Sequence, residues 1–159
     1  SFATTLPTGT AWSGELSYRP NAPVALNAAD MTTALLTPVD ASLSNLQVSP
    51  SGKVRGYNRK EVTQIQSTLI HTLDQVLGAE QLVLVGEAAF THVGGLESQR
   101  KARYGRDTVF GDTRSAGYAT KNSWGYRASA SLEYSNVFAG VNLEPNLSWS
   151  HDVYGYGKL

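Results

Sequence analysis

Cysteine is absent from this 159-residue chain, so no disulfide framework and no thiolate metal site can form within it. Charge of either sign is scarce. Asp, Glu, Lys and Arg make up 16% of the residues, where an ordinary soluble domain has about a quarter. Basic and acidic residues balance at 13 each, so no overall positive charge invites nucleic acid. No apolar run reaches the roughly 18 residues that a transmembrane helix requires. What the chain does have is 15 Gly, 8 Tyr and 3 Trp. Tyr, Trp and Thr favour strands and Gly favours turns, so an all-β chain with many turns is expected.

Alternation is clearest over residues 124–134. Trp124, Tyr126, Ala128, Ala130, Leu132 and Tyr134 take one face. Gly125, Arg127, Ser129, Ser131 and Glu133 take the other. Val141, Leu143, Pro145, Leu147 and Trp149 alternate in the same way with Asn142, Glu144, Asn146, Ser148 and Ser150. A hairpin connection over 135–140 joins the two. Pro145 interrupts the second, because it has no N–H for a ladder. Trp12, Gly14, Leu16 and Tyr18 alternate with Ser13, Glu15, Ser17 and Arg19. Pro7-Thr8-Gly9-Thr10 before them reads as a turn, and residues 1–6 as the tail of a preceding strand. Residues 82–92 form a further strand whose second face is only partly polar. Residues 61–77 fit a helix repeat at Val62, Ile65, Leu69, Leu73 and Val76, yet their Thr, Ser and Gln content has little helix propensity. A strand over 61–72 and a turn over 74–80 are expected.

Short connections thus alternate with two long ones, 20–60 and 93–123. Long loops are uncommon in compact soluble domains, while outer-membrane barrels alternate short turns with long outer loops. Strands of this length match a tilted bilayer crossing, and Trp12, Tyr18, Trp124, Tyr134 and Trp149 suit interfacial girdles. A soluble antiparallel sheet with one face on a core shows the same alternation and is the competing reading.

The stretches Gly14-Glu15-Leu16-Ser17-Tyr18-Arg19-Pro20-Asn21-Ala22-Pro23, Asp74–Ala79, Arg103-Tyr104-Gly105-Arg106-Asp107 and Asn136–Asp152 give the chain a family resemblance. Across nearly its whole length it resembles a family of Gram-negative proteins, common in pseudomonads, of unknown function and regarded as outer-membrane barrels. The resemblance implies an antiparallel transmembrane β-barrel fragment of about five to six strands in three hairpins, with residues 1–159 an internal part of one larger barrel. It also implies a bacterial outer-membrane location and a setting of uptake or breakdown of hydrophobic compounds. No catalytic residues are transferable from it.

Candidate chemistry is sparse. Ser150, His151 and Asp152 are adjacent on a strand and point to opposite faces, so they cannot form a relay. No Gly-x-Ser-x-Gly elbow and no phosphate-binding signature occurs. His71, His92 and His151 would hold a metal only on converging with a carboxylate such as Asp152, and ordinary polar positions are expected instead. The loop Gln99–Asp107, with four cations, is a solvated loop, a lipopolysaccharide contact or a constriction folded into a pore. The chain is therefore read as a non-enzyme without cofactors: an outer-membrane channel or uptake barrel for small solutes, hydrophobic ones included. Its lumen would be lined by Glu15, Arg19, Glu87, Arg127, Glu133, Glu144 and Asn146, whose mixed charges favour neutral or amphipathic solutes. Outer-membrane lipid, lipopolysaccharide and a small-molecule solute are the expected partners, with no nucleic acid, and homo-oligomerisation is left open. A surface structural or adhesive barrel with a plugged lumen, or a soluble β-domain binding a ligand, are the alternatives.

Overall fold

A computed structural model describes residues 1–36, 55–105 and 117–157. In chain order the elements are β1 (Phe2–Thr5), β2 (Ala11–Ala25), α1 (Ala28–Leu36), β3 (Tyr57–Asp74), β4 (Gln81–Gly94), β5 (Asn122–Phe138), β6 (Val141–Leu143) and β7 (Asn146–Tyr154). The strands form one antiparallel meander in the order β1-β2-β3-β4-β5, with both β6 and β7 paired to β5. The expected all-β class holds. Among the described residues the sheet has seven strands and does not close into a barrel: β1 at one edge and β6 with β7 at the other have no sheet partner there on their outer side.

The short turns follow directly from their residues. Pro7 begins the turn closed by Gly9 N–H donating to Leu6 O, and Gly9 takes the left-handed conformation that ends it (φ 78°). At 76–79, Leu77 and Gly78 both have positive φ, and Ala79 N–H donates to Val76 O. The expected connection over 135–140 is shorter than the sequence suggests. β5 runs on to Phe138, which pairs with Val141, and the turn is Ala139-Gly140 alone, both with positive φ as a two-residue hairpin demands. The extra length is absorbed by a register shift between Tyr134 and Phe138, where Asn136 also has positive φ.

Pro145 divides what would be one strand into β6 and β7. Its carbonyl still accepts from Leu132 N–H, but it has no N–H to return, so the ladder breaks for two residues and resumes in phase. β3 is a strand, as expected, and longer than expected. The strands also run well into the two segments read as long loops. β2 continues through Pro20 and Pro23 to Ala25. β1 pairs only with Ala11 to Gly14, so both prolines lie beyond the stretch where a missing donor would break that ladder. Residues 37–54 and 106–116 of those segments lie outside the described residues.

Two compact units divide the chain. The first comprises residues 1–17, 64–90 and 124–154, and so contains all three short turns. The second comprises residues 18–63, 91–123 and 155–159. The second has a core of its own: Val24, Tyr104 and Val93 are fully buried, with Val62, Ala22, Leu26 and Ala119 buried around them. Helix α1, unforeseen in the sequence, starts at an N-cap in this unit. Asn27 Oδ1 accepts from Asp30 N–H, while Leu26 and Met31 on either side of the cap both pack on the core.

Candidate functional site

In the first unit the site is the sheet itself, because its two faces differ in chemistry. Opposed residues of an antiparallel pair share a face. β5 and β7 pair Ala128 with Trp149 and Ala130 with Leu147 on one side, and Arg127 with Ser150, Ser129 with Ser148 and Ser131 with Asn146 on the other. The alternations read separately from the two segments thus meet apolar to apolar and polar to polar. Trp12 Nε1 donates to Ser67 Oγ, and Thr10 Oγ1 lies 2.8 Å from His71 Nδ1, which joins the apolar files of β2 and β3. Phe2 packs edge-on against Trp12 at 4.9 Å. A shallow depression lined by Leu69, Leu84, Gly86, Ala130, Leu147 and Trp149 places β3, β4, β5 and β7 on that same face.

Among the described residues nothing covers this face. Leu147 is 74%, Leu16 65% and Trp149 64% exposed. At 25 cal/mol per Å² of apolar surface, each such side chain forgoes about 1–2 kcal/mol relative to burial. Trp149 stands in mid-strand opposite Ala128, further from a strand end than a girdle position implies.

The polar face has a hollow of 560 Å³ between β4, β5 and β7, lined by Glu87, Arg127, Ser129, Ser148, Ser150 and Asp152. Arg127 Nε lies 3.5 Å from Glu87 Oε1. Gly125 is opposite Asp152, and a Cβ there would come within 2.9 Å of both Asp152 Oδ1 and His151 O. The absence of a side chain at Gly125 is what lets the Asp152 carboxylate lie against β5. Asp152 was missed as a wall residue; its place in the Asn146–Asp152 alternation was the available signal.

Of the residues expected to line a lumen, Glu15, Glu87, Arg127, Glu133, Glu144 and Asn146 belong to the first unit and fall on the polar parity of their strands. Arg19 belongs to the second unit. One register runs from Gly125–Asp152 through Ser131–Asn146 to Tyr134–Leu143, with the Leu132–Pro145 hydrogen bond between. It sets Glu133 directly opposite Glu144.

The second unit holds a polar network around Tyr104. The Tyr104 hydroxyl donates to Glu97 Oε2 and accepts from Asn58 Nδ2 at 2.9 Å. Lys60 Nζ donates to Glu97 Oε1 at 2.6 Å and to Gly95 O at 2.7 Å, and lies 5.6 Å from the Tyr104 ring centre. Burial alone would push the Glu97 carboxyl up; hydrogen bonds from Lys60 and Tyr104 outweigh it and hold the group below the ordinary carboxylate range. Burial, helped by the Glu97 carboxylate, raises the Tyr104 hydroxyl. Arg103, expected among the cations of a solvated loop, instead donates to both carboxylate oxygens of Asp30 in α1 and lies over the Tyr118 ring at 5.1 Å. Arg106 and Asp107 of that loop lie outside the described residues.

The histidines take ordinary partners: His71 with Thr10, His92 Nδ1 with Asn122 Oδ1 at 2.6 Å, and His151 edge-on to Tyr126. Among the described residues no group of three His, Asp or Glu could hold a metal, and no helix is long and apolar enough to cross a membrane. A family model described as "Protein of unknown function (DUF1302)" matches residues 1–159. No curated protein and no solved structure matches the chain.

Proposed function

From the premise that the chain belongs to this DUF1302 family, we propose that it forms part of the wall of an outer-membrane β-barrel that passes small solutes. The observation that carries this reading is a segregation of charge. Every Asp, Glu, Lys or Arg in the strands of the first unit falls on the polar parity: Glu15, Asp74, Glu87, Arg127, Glu133 and Asp152, with Glu144 between β6 and β7. The apolar parity has none. A soluble sheet with one face in water tolerates a stray Lys on its margins. A face against hydrocarbon does not, because a charge there costs about 2–4 kcal/mol at the bilayer midplane.

The open edges fit the same reading. In lipid an unmet backbone group costs several kcal/mol, so a spanning sheet must be closed by further strands. The short turns suit the periplasmic rim. All Lys and Arg residues except Arg127 fall in the spans of the second unit, a charge that suits contact with lipopolysaccharide phosphates.

The test is solute flux through the intact protein, purified from membranes and reconstituted in liposomes. Swelling in small neutral solutes, absent from protein-free liposomes, is expected. Recovery of the intact protein as a detergent-free soluble monomer would overturn the membrane reading. Firm membrane integration without flux would replace the channel by a structural barrel with a plugged lumen.

A further inference from the structure

The hairpin of β3 and β4 keeps one register at both of its ends. A Cβ on Gly94 would lie 3.3 Å from Glu61 Cβ, and Gln75 N–H donates to Glu80 O at the turn. Both contacts fit a pairing that sets Val62 opposite Val93 and Thr68 opposite Glu87. Opposed residues share a face, and side chains of a strand alternate. Val62 and Val93 therefore carry the polar parity of their strands, yet they are 3% and 2% exposed. Leu96 and Tyr104 pack with them in one core. The cover is one-sided. On β3 Asn58, Lys60 and Val62 are partly or fully covered, while Tyr57, Arg59 and Glu61 between them are exposed.

The covering segment, residues 95–105, is fastened at both ends. Lys60 Nζ holds Gly95 O at 2.7 Å and Glu97 at 2.6 Å, and Asn58 holds the Tyr104 hydroxyl at 2.9 Å. The anchors are thus polar-parity side chains of β3 itself. On the return, Asn27 N–H donates to Arg103 O and Gly105 N–H to Ala25 O, both at 2.9 Å, and Arg103 grips Asp30 of α1. Between the fastenings, Lys101 and Ala102 N–H both donate to Ser98 O, and this turn leaves residues 98–101 exposed.

We propose that residues 95–105 are a fixed strap on the water-facing side of the β3–β4 hairpin, narrowing the passage at that end and setting the largest solute it admits. The inference rests on the channel reading and names what limits its solutes. A loop bonded to the apolar parity would displace lipid and leave the passage bare. One bonded to the polar parity takes up space that a solute would otherwise use, and bore is a direct determinant of what a pore passes. Backbone and side-chain bonds at both ends hold the strap in place, so its exposed turn narrows the passage whether or not a solute is present.

The experiment is liposome swelling by the intact protein in a neutral monosaccharide, disaccharide and tetrasaccharide, for wild type and two variants. One variant replaces residues 98–102 with two glycines and shortens the strap. The other, Gln99→Trp, enlarges its exposed turn without touching the core, and decides the matter alone if the shortened protein fails to assemble. Wild type should pass the monosaccharide severalfold faster than the tetrasaccharide. The shortened strap should raise the tetrasaccharide rate severalfold with little change for the monosaccharide. Gln99→Trp should lower the disaccharide rate more than the monosaccharide rate. A strap that only stabilises its own unit would leave these ratios alone. Equal rate ratios in wild type and Gln99→Trp overturn the strap as a size limit and leave the channel standing. Absence of swelling in the wild type with every sugar overturns the channel and this inference with it.

Discussion

Tyr104 is the residue on which the second unit turns. Its ring is buried in the core while its hydroxyl joins Asn58 to Glu97. Tyr104→Phe keeps the ring and strands two polar partners, at a cost of about 1–3 kcal/mol. Hydrogen exchange over residues 96–105 should register faster local opening in that variant. Exchange unchanged from wild type would show that the network contributes nothing. Acid should act through Glu97. Its carboxyl is held below its unfolded value, so the stability it contributes is complete above the ordinary carboxylate range and is lost as pH falls through the lower, folded value. Opening of the same segment is therefore expected only below about pH 4, and steady weakening between neutrality and pH 5 would contradict the assignment. A gain is also available. Ala139 adopts positive φ in a two-residue turn where Asn-Gly is preferred. Ala139→Asn should stabilise the β5–β6 hairpin by about 1 kcal/mol, measured as a higher denaturant midpoint.

Among the elements, the strands of the first unit were legible because a strand in contact with two different media must alternate. Residues 124–134 and 146–150 do so without exception, and the register joins them as the alternation requires. β3 was less clear for a physical reason. Ile65, Leu69 and Leu73 lie on its apolar parity, but Ser67 and His71 interrupt that file and Ile70 sits on the polar one. An imperfect period of two then resembles a period near 3.6. Helix α1 escaped notice because the surrounding composition reads as loop, although Asn27 followed by Asp30 is a cap signal. The core of the second unit depends on contacts distant in sequence, such as Val24 with Val93 and Tyr104, which no local pattern announces.

The faces of β7 give a paired test at the same scale. Leu147→Arg puts a charge on the apolar face, and Ser148→Arg puts it on the adjacent polar position. The first should impair membrane assembly by about 2–4 kcal/mol and the second should leave it near wild type. Equal assembly yields for the two variants would dissolve the distinction between the faces.

At the scale of the whole molecule, neutrality conceals a division: the 13 acids are shared between the spans of the two units, seven to six, whereas 12 of the 13 Lys and Arg residues lie in the spans of the second. The central claim is that one face of the first unit's sheet meets hydrocarbon and the other meets water. The chain has no cysteine, so a nitroxide can be placed at each of residues 128–131 and 147–150 in turn. Collision rates with oxygen, which concentrates in lipid, and with a water-soluble nickel chelate then report each side chain's surroundings in the reconstituted intact protein. Positions 128, 130, 147 and 149 should favour oxygen and positions 129, 131, 148 and 150 the chelate, in strict alternation. Uniform access to the chelate along both strands, or protection of the apolar positions from both reagents by a covering protein layer, would contradict the account.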